Sequence, residues 1–110
     1  MLDVRYYVLA NDDCPFERWF AELNAEARAK VTVAIARIAQ GNLSNTKSVG
    51  EGVVEYRINF GPGYRVYFGR EGATVVILLT GGSKSRQQRD IRAAIDMWTE
   101  YRQRRRGSRH

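Results

Sequence analysis

The spacing of hydrophobic positions changes midway along the chain, from helical in the first half to alternating in the second. Residues 2–9 are rich in β-branched and aromatic types and predict a first strand. Asn11-Asp12-Asp13 supplies turn chemistry, and Pro15 suits the first turn of a helix over about residues 14–23, with Phe16, Trp19, Phe20 and Leu23 at helical spacing. Asn24 can cap a second helix over 25–39, whose apolar face is Ala27, Val31, Ala34, Ile35 and Ile38. Gly41-Asn42 ends it.

From Val53 the period becomes two. Val54, Tyr56, Ile58 and Phe60 fall on one side of a strand, and Glu55, Arg57 and Asn59 on the other. After the turn at Gly61-Pro62-Gly63, Tyr64, Val66 and Phe68 oppose Arg65 and Tyr67. A slip by one residue would bury the arginines with the apolar set, so the register is expected to bring Glu55, Arg57, Arg65 and Tyr67 onto one exposed face. Thr74 to Thr80 is nearly all apolar, as for an interior strand covered on both sides, and Gly81-Gly82 is expected to break it. Ser85 and Gln88 have the spacing of a capping box. The last helix carries Ile91, Ala94, Ile95, Trp98 and Tyr101 on one stripe. Trp19, Phe20 and Trp98 are expected core anchors. The predicted order is β-α-α-β-β-β-α, an α+β class. One domain over 1–101 is followed by a basic tail, 102–110, expected to be disordered.

Charge sharpens this picture. The chain of 110 residues has net charge +6, but five arginines (Arg102, Arg104, Arg105, Arg106, Arg109) lie in the last nine residues, leaving +1 for residues 1–101. Within that body the charges separate. Asp12, Asp13, Glu17, Glu22 and Glu26 cluster early, while Lys84, Arg86, Arg89 and Arg92 cluster late around Asp90. A polyanionic partner on one face is the natural reading. The longest apolar run is too short to cross a membrane, no secretory signal is visible, and one unpaired cysteine, Cys14, fits a reducing cytoplasm.

The residue inventory excludes several chemistries. His110, the final residue, is the one histidine, so no histidine pair can serve as acid and base. No Cys/His cluster suits zinc, no P-loop is present, and neither metal nor cofactor is expected. What remains is a polar strand face beside basic loops. Arg57 and Arg65 on adjacent strands could address one phosphate, because each guanidinium offers a rigid donor fork. Lys84 could add charge from the side. RNA cleavage through the 2′-hydroxyl needs a proton removed, a phosphorane stabilised and a leaving oxygen helped, and preorganised cations supply the second need. Glu55, Tyr67 or a lysine of lowered pKa would have to handle protons. The same residues also fit plainer roles. Arg57 beside Glu55 or Glu51 is the pattern of a surface salt bridge, Arg65 and Tyr67 are ordinary cross-strand neighbours, and Lys47 and Lys84 are solvated loop charges.

The run Lys47-Ser-Val-Gly-Glu-Gly-Val-Val-Glu-Tyr-Arg-Ile, then Gly61-Pro-Gly-Tyr-Arg-Val-Tyr-Phe, then Leu78-Leu-Thr-Gly-Gly-Ser-Lys84, resembles the addiction-module killer proteins of the RelE/HigB group in the RelE/ParE superfamily. Pro15-Phe-Glu-Arg-Trp-Phe and Gln87-Gln-Arg-Asp-Ile are also similar to that group. The resemblance spans residues 1–101. It implies a twisted antiparallel sheet packed by helices. It also implies a toxin that cleaves messenger RNA in the ribosomal A site without a metal, restrained by a cognate helix-turn-helix antitoxin and reaching operator DNA only through it. Carried over by position, Arg65 falls on the phosphate-stabilising arginine, Arg57 on a basic strand position and Lys84 on a basic loop position. Lys47, Tyr67, Arg86 and Arg89 are expected to touch RNA, and Glu55 and Asp90 to be candidates for proton transfer. Relatives with a catalytic tyrosine on the last helix, or a histidine in the central loop, have no counterpart here. A ParE-like gyrase inhibitor and an inactive nucleic-acid-binding homologue are the rival readings.

Overall fold

The computed structural model describes residues 1–107. Arg109 and His110 of the expected tail lie outside the described residues. Eight main elements follow in order: β1 (Asp3–Tyr6), α1 (Pro15–Ala21), α2 (Ala25–Ala39), β2 (Thr46–Gly50), β3 (Val53–Ile58), β4 (Tyr64–Glu71), β5 (Val75–Ser83) and α3 (Gln87–Gly107), with one 3-10 turn at Lys84–Arg86 before α3. The α+β class and the predicted helices and strands are present, with one strand more than the sequence announced. The strands form one five-stranded sheet ordered β1-β5-β4-β3-β2.

Helix α2 starts and stops on its expected signals. The Asn24 side chain accepts from the Ala27 amide at 2.8 Å, a cap typically worth ~1 kcal/mol. At the other end the Gly41 amide donates to the Ile38 carbonyl and the Asn42 amide to that of Arg37. The two bonds close a Schellman motif on a glycine with φ of 81°.

The meander β3–β4–β5 has the expected register. Glu55 pairs with Tyr67, Tyr56 with Val66 and Arg57 with Arg65. Two features depart from an all-antiparallel meander. Strand β1 runs parallel to β5 at one edge, Asp3 opposite Val75. At the other edge, β2 forms a hairpin with β3 through Gly50-Glu51-Gly52, all three at positive φ. Residues 46–50 carry only Val49 as a large apolar side chain, so an alternating hydrophobic pattern could not reveal them as a strand.

Helices cover both faces of the sheet. On one face, α1 and α2 bury Phe16, Val31, Ala34 and Ile38 against Tyr56, Val66, Phe68, Val76 and Leu78. On the other, α3 lays Ala94 and Trp98 over Val53, Tyr67, Ile77 and Leu79. Strand β5 is therefore buried on both sides, as its apolar run requires. Gly81 and Gly82 do not break it. They lie within β5 because large groups from the two helical layers sit directly on them. An added Cβ would come within 2.3 Å of the Trp19 ring at Gly81 and 1.8 Å of the Asp90 carboxylate at Gly82. A bulge at Leu79, which the register between Tyr67 and Phe68 skips, shifts the alternation by one residue, so that Gly81 faces Trp19 and Gly82 faces Asp90.

Helix α3 also corrects the expected tail boundary, because it continues to Gly107. Arg102 and Arg104–Arg106 are good helix formers, and cations at a helix C-terminus favour its dipole. Side-chain ties fasten the same stretch. The Tyr101 hydroxyl and Arg105 reach Glu71, Arg104 pairs with Glu100, and the Tyr7 hydroxyl donates to Glu100 at 2.7 Å. The capping box expected of Ser85 and Gln88 gives way to the 3-10 turn, with the Ser85 hydroxyl 3.2 Å from that of Ser83.

Trp98 rests on Gly69, where an added Cβ would meet its ring at 2.5 Å. Gly69→Ala is expected to lower stability by about 1–3 kcal/mol through overpacking. Urea denaturation measures this as a lower midpoint, and an unchanged midpoint would show that the ring can retreat at no cost.

Candidate active site

The 61–63 turn and the start of β4 gather the predicted cations. Gly61 and Gly63 adopt φ of 56° and 78°, and the Gly63 amide closes the turn on the Phe60 carbonyl. The Gly63 carbonyl then receives two donors at 2.9 Å each, the Lys84 amide and Arg65 Nη1. One backbone oxygen thus fixes the turn, the guanidinium and the start of the 84–86 loop relative to one another. Arg57, Gly63, Arg65 and Lys84 line a single open cleft of about 500 Å³.

The two arginines differ in burial. Arg57 is exposed. Arg65, expected on an exposed face, is only 7% exposed because the start of α3 covers that side of the sheet. Its Nε lies 3.5 Å from Glu55 Oε2, an ionic contact longer than a well-formed hydrogen bond. Glu55 is 0% exposed. Its Oε2 accepts from the Tyr67 hydroxyl at 3.1 Å and from Gln87 Nε2 at 2.8 Å, while Oε1 has no partner among the described residues. The salt bridge the sequence suggested for Arg57 is therefore made by Arg65 instead. Tyr67 is also 0% exposed, and burial first, then its contact with Glu55, pushes its hydroxyl well above the ordinary phenol range. Tyr67 and Glu55 have no exposed surface and line no cleft with Arg57 and Lys84, so they support Arg65, whose edge does open into that cleft, from behind. Gln87 joins them although no periodic signal singles it out. It opens α3, and only the register of that helix over β3 brings it to Glu55.

The remaining candidates divide into those near the cleft and one that is not. Lys84, Arg86 and Arg89 are exposed along the 84–89 segment and line an adjoining cleft of about 420 Å³. Arg86, Arg89 and Asp90 face a third of about 550 Å³ with Trp19, Pro62 and Tyr64. Shared Lys84, Pro62, Arg86 and Arg89 make the three openings one basic surface. The Asp90 carboxyl sits against Gly82, the cross-strand partner of Arg65, and its Oδ2 is buried with no partner among the described residues. Desolvation raises its pKa, opposed by Arg89, Arg86 and a backbone hydrogen bond from Ser83. Lys47 is exposed on β2 opposite Glu55, not in a loop, and lines none of the three clefts.

Residues 18–99 match the family model described as "Phage derived protein Gp49-like (DUF891)". A protein of Haemophilus influenzae (strain ATCC 51907 / DSM 11121 / KW20 / Rd), described as "Uncharacterized protein", is 45% identical over 80 residues, covering 72% of this chain and 81% of that one. The matched span includes every candidate cation from Arg57 to Arg89. The chain belongs to the Gp49-like family of phage-derived proteins.

Proposed function

We propose that this protein is a toxin that cuts messenger RNA on the ribosome, with Arg65 and Arg57 gripping the scissile phosphate and Lys84 flanking it. The observation that carries the reading is the direct pairing of Arg57 with Arg65 across β3 and β4, both lining one cleft with Lys84. Three cations around one opening fit the dianionic phosphorane that forms when a 2′-oxygen attacks phosphorus and the 5′-oxygen leaves. The similarity to RelE/HigB toxins supports the same step, and an antitoxin partner follows from the family.

Each residue then has a defined task. Arg65 is held by Gly63 and Glu55, so its donor fork needs little reorganisation when a phosphate arrives. Arg57 and Lys84 approach from the solvent side. Arg86 and Arg89 steer the strand toward the cleft. In this scheme the 2′-proton passes to solvent, and Asp90, whose desolvated carboxyl retains its proton to higher pH than usual, gives one to the departing 5′-oxygen.

Burial decides which substitutions test the mechanism. Arg65→Ala would strand the Glu55 carboxylate, and breaking a buried pair in this way typically costs about 3–5 kcal/mol. That variant would lose activity through the fold alone. Arg57→Ala removes an exposed side chain and is expected to keep stability within about 0.5 kcal/mol. Cleavage of translated messages should fall about 100-fold or more, as when one transition-state donor is lost. Primer extension on messages from a translating extract measures this. Full cleavage by the folded Arg57→Ala chain would remove Arg57 from the mechanism, and intact messages with an SOS response to the native chain would favour gyrase inhibition.

Asp90 yields a pH signature. Its folded pKa stands above the usual 3.8, so between those values the folded chain holds a proton the unfolded chain has lost. Stability contributed by this group falls as pH rises through that window and stays lower above it. Asp90→Asn is therefore expected to gain in melting temperature over the native chain progressively across the window, then hold a constant gain, while cleavage drops. Melting-temperature gains that do not vary with pH would contradict the raised pKa, and undiminished cleavage would clear Asp90 of the proton transfer.

A further inference from the structure

Strand β4 begins beside Arg65 and ends at Glu71, so its far end lies away from the cleft just described. There the last turns of α3 and the β4–β5 turn enclose a second opening of about 510 Å³. Arg70 lines it from β4, and Arg102, Arg105 and Arg106 line it from α3. The last three have the i, i+3, i+4 spacing that puts side chains on one helix face, with Cβ atoms about 5–6 Å apart. Glu71 is the single carboxylate in this lining, and it is already engaged by Arg105 and by the Tyr101 hydroxyl. Arg70 donates to the Ala73 carbonyl at 2.9 Å, which holds it at the β4–β5 turn without neutralising it, so the charge of Arg70, Arg102 and Arg106 faces solvent.

We infer that this arginine face is a second nucleic-acid site, holding the phosphate backbone of an RNA strand at the end of the molecule opposite the candidate cleavage cleft. The choice of RNA rests on the function proposed above, whereas the preference for phosphate rests on the face itself. A helix dipole explains cations in the final turn of α3 but not Arg70, which comes from a different element and points into the same opening. Guanidinium groups spaced along a helix face match a repeating phosphate backbone. A protein partner would need apolar anchors seated in pockets. Here the large aromatic in the lining, Trp98, is buried under α3, and Gly52 and Gly72 offer no side chains. Along helix α3 the rise from Arg89 to Arg102 is about 20 Å at 1.5 Å per residue, which separates the two basic regions. An RNA held at both must therefore span several nucleotides.

The test uses the full chain and a labelled single-stranded RNA with 2′-O-methyl sugars, which cannot undergo 2′-hydroxyl attack. Binding is followed by fluorescence anisotropy over a range of KCl concentrations. The double variant Arg102→Gln/Arg106→Gln leaves the Arg105–Glu71 tie in place, and circular dichroism should report unchanged helix content. Its log K against log salt slope is expected to be shallower than that of the native chain by about 1.4, near 0.7 for each lost phosphate contact. An unchanged slope with intact helix overturns the proposal. Loss of binding to polyglutamate but not to RNA overturns it too, in favour of an acidic protein partner. A slope difference in a chain that cuts no message supports the phosphate face and defeats only the nuclease reading.

Discussion

A carboxylate with no solvent exposure is costly in any small domain, and in this one Glu55 is placed where the sheet, the last helix and the candidate cleft meet. Its charge is offset from three sides, by the Arg65 guanidinium and the Tyr67 hydroxyl of β4 and by the Gln87 amide of α3. These partners tie β3 to β4 and α3 to both. Burying such a group gains little net stability over a well-packed apolar alternative, but removing one partner leaves a charge with nowhere to go. The arrangement acts chiefly on geometry. It sets where the Arg65 fork points, and Gly63 reinforces that aim from the opposite side through its carbonyl.

Tight backbone seats complete the positioning. Trp19 lies on Gly81, Asp90 on Gly82 and Trp98 on Gly69, so both helical layers are keyed to the sheet at glycines that no other residue could replace without displacement. The bulge at Leu79 shifts the strand's alternation by one residue, which sets Gly81 under the ring from α1 and Gly82 under the carboxyl from α3. Register, bulge and glycine seats together bring Arg65, Lys84 and Asp90 from separate elements to one end of the sheet.

Much of this was legible in the residues. The period-two pattern of 53–60 and 64–68 dictated the β3–β4 register, and with it the adjacency of Arg57 and Arg65. Helix α2 declared both its ends. The hidden parts have physical reasons. Residues 46–50 lack apolar alternation because they form a sheet edge, and the parallel pairing of β1 depends on a contact that no local pattern encodes. Gly81-Gly82 reads as a break until the ring and carboxyl above them are seen. The exposure of the Glu55–Tyr67 face was misjudged because alternation assigns residues to faces without saying what covers each face. Here both sides of the sheet are covered, so polar residues on the second side became an internal network.

The parallel pairing of Asp3–Tyr6 with Val75–Leu78 has a consequence for how the molecule is made. Strand β1 is made well before β5, so it has no hydrogen-bonding mate while the segments between them are synthesised. Such sequence-distant pairing carries a large entropic cost and slows folding relative to local contacts. The strand on which Arg65 stands also waits for β5 and α3 before its supports exist. A nascent chain is therefore without an assembled cleft until β5 and α3 have both been made.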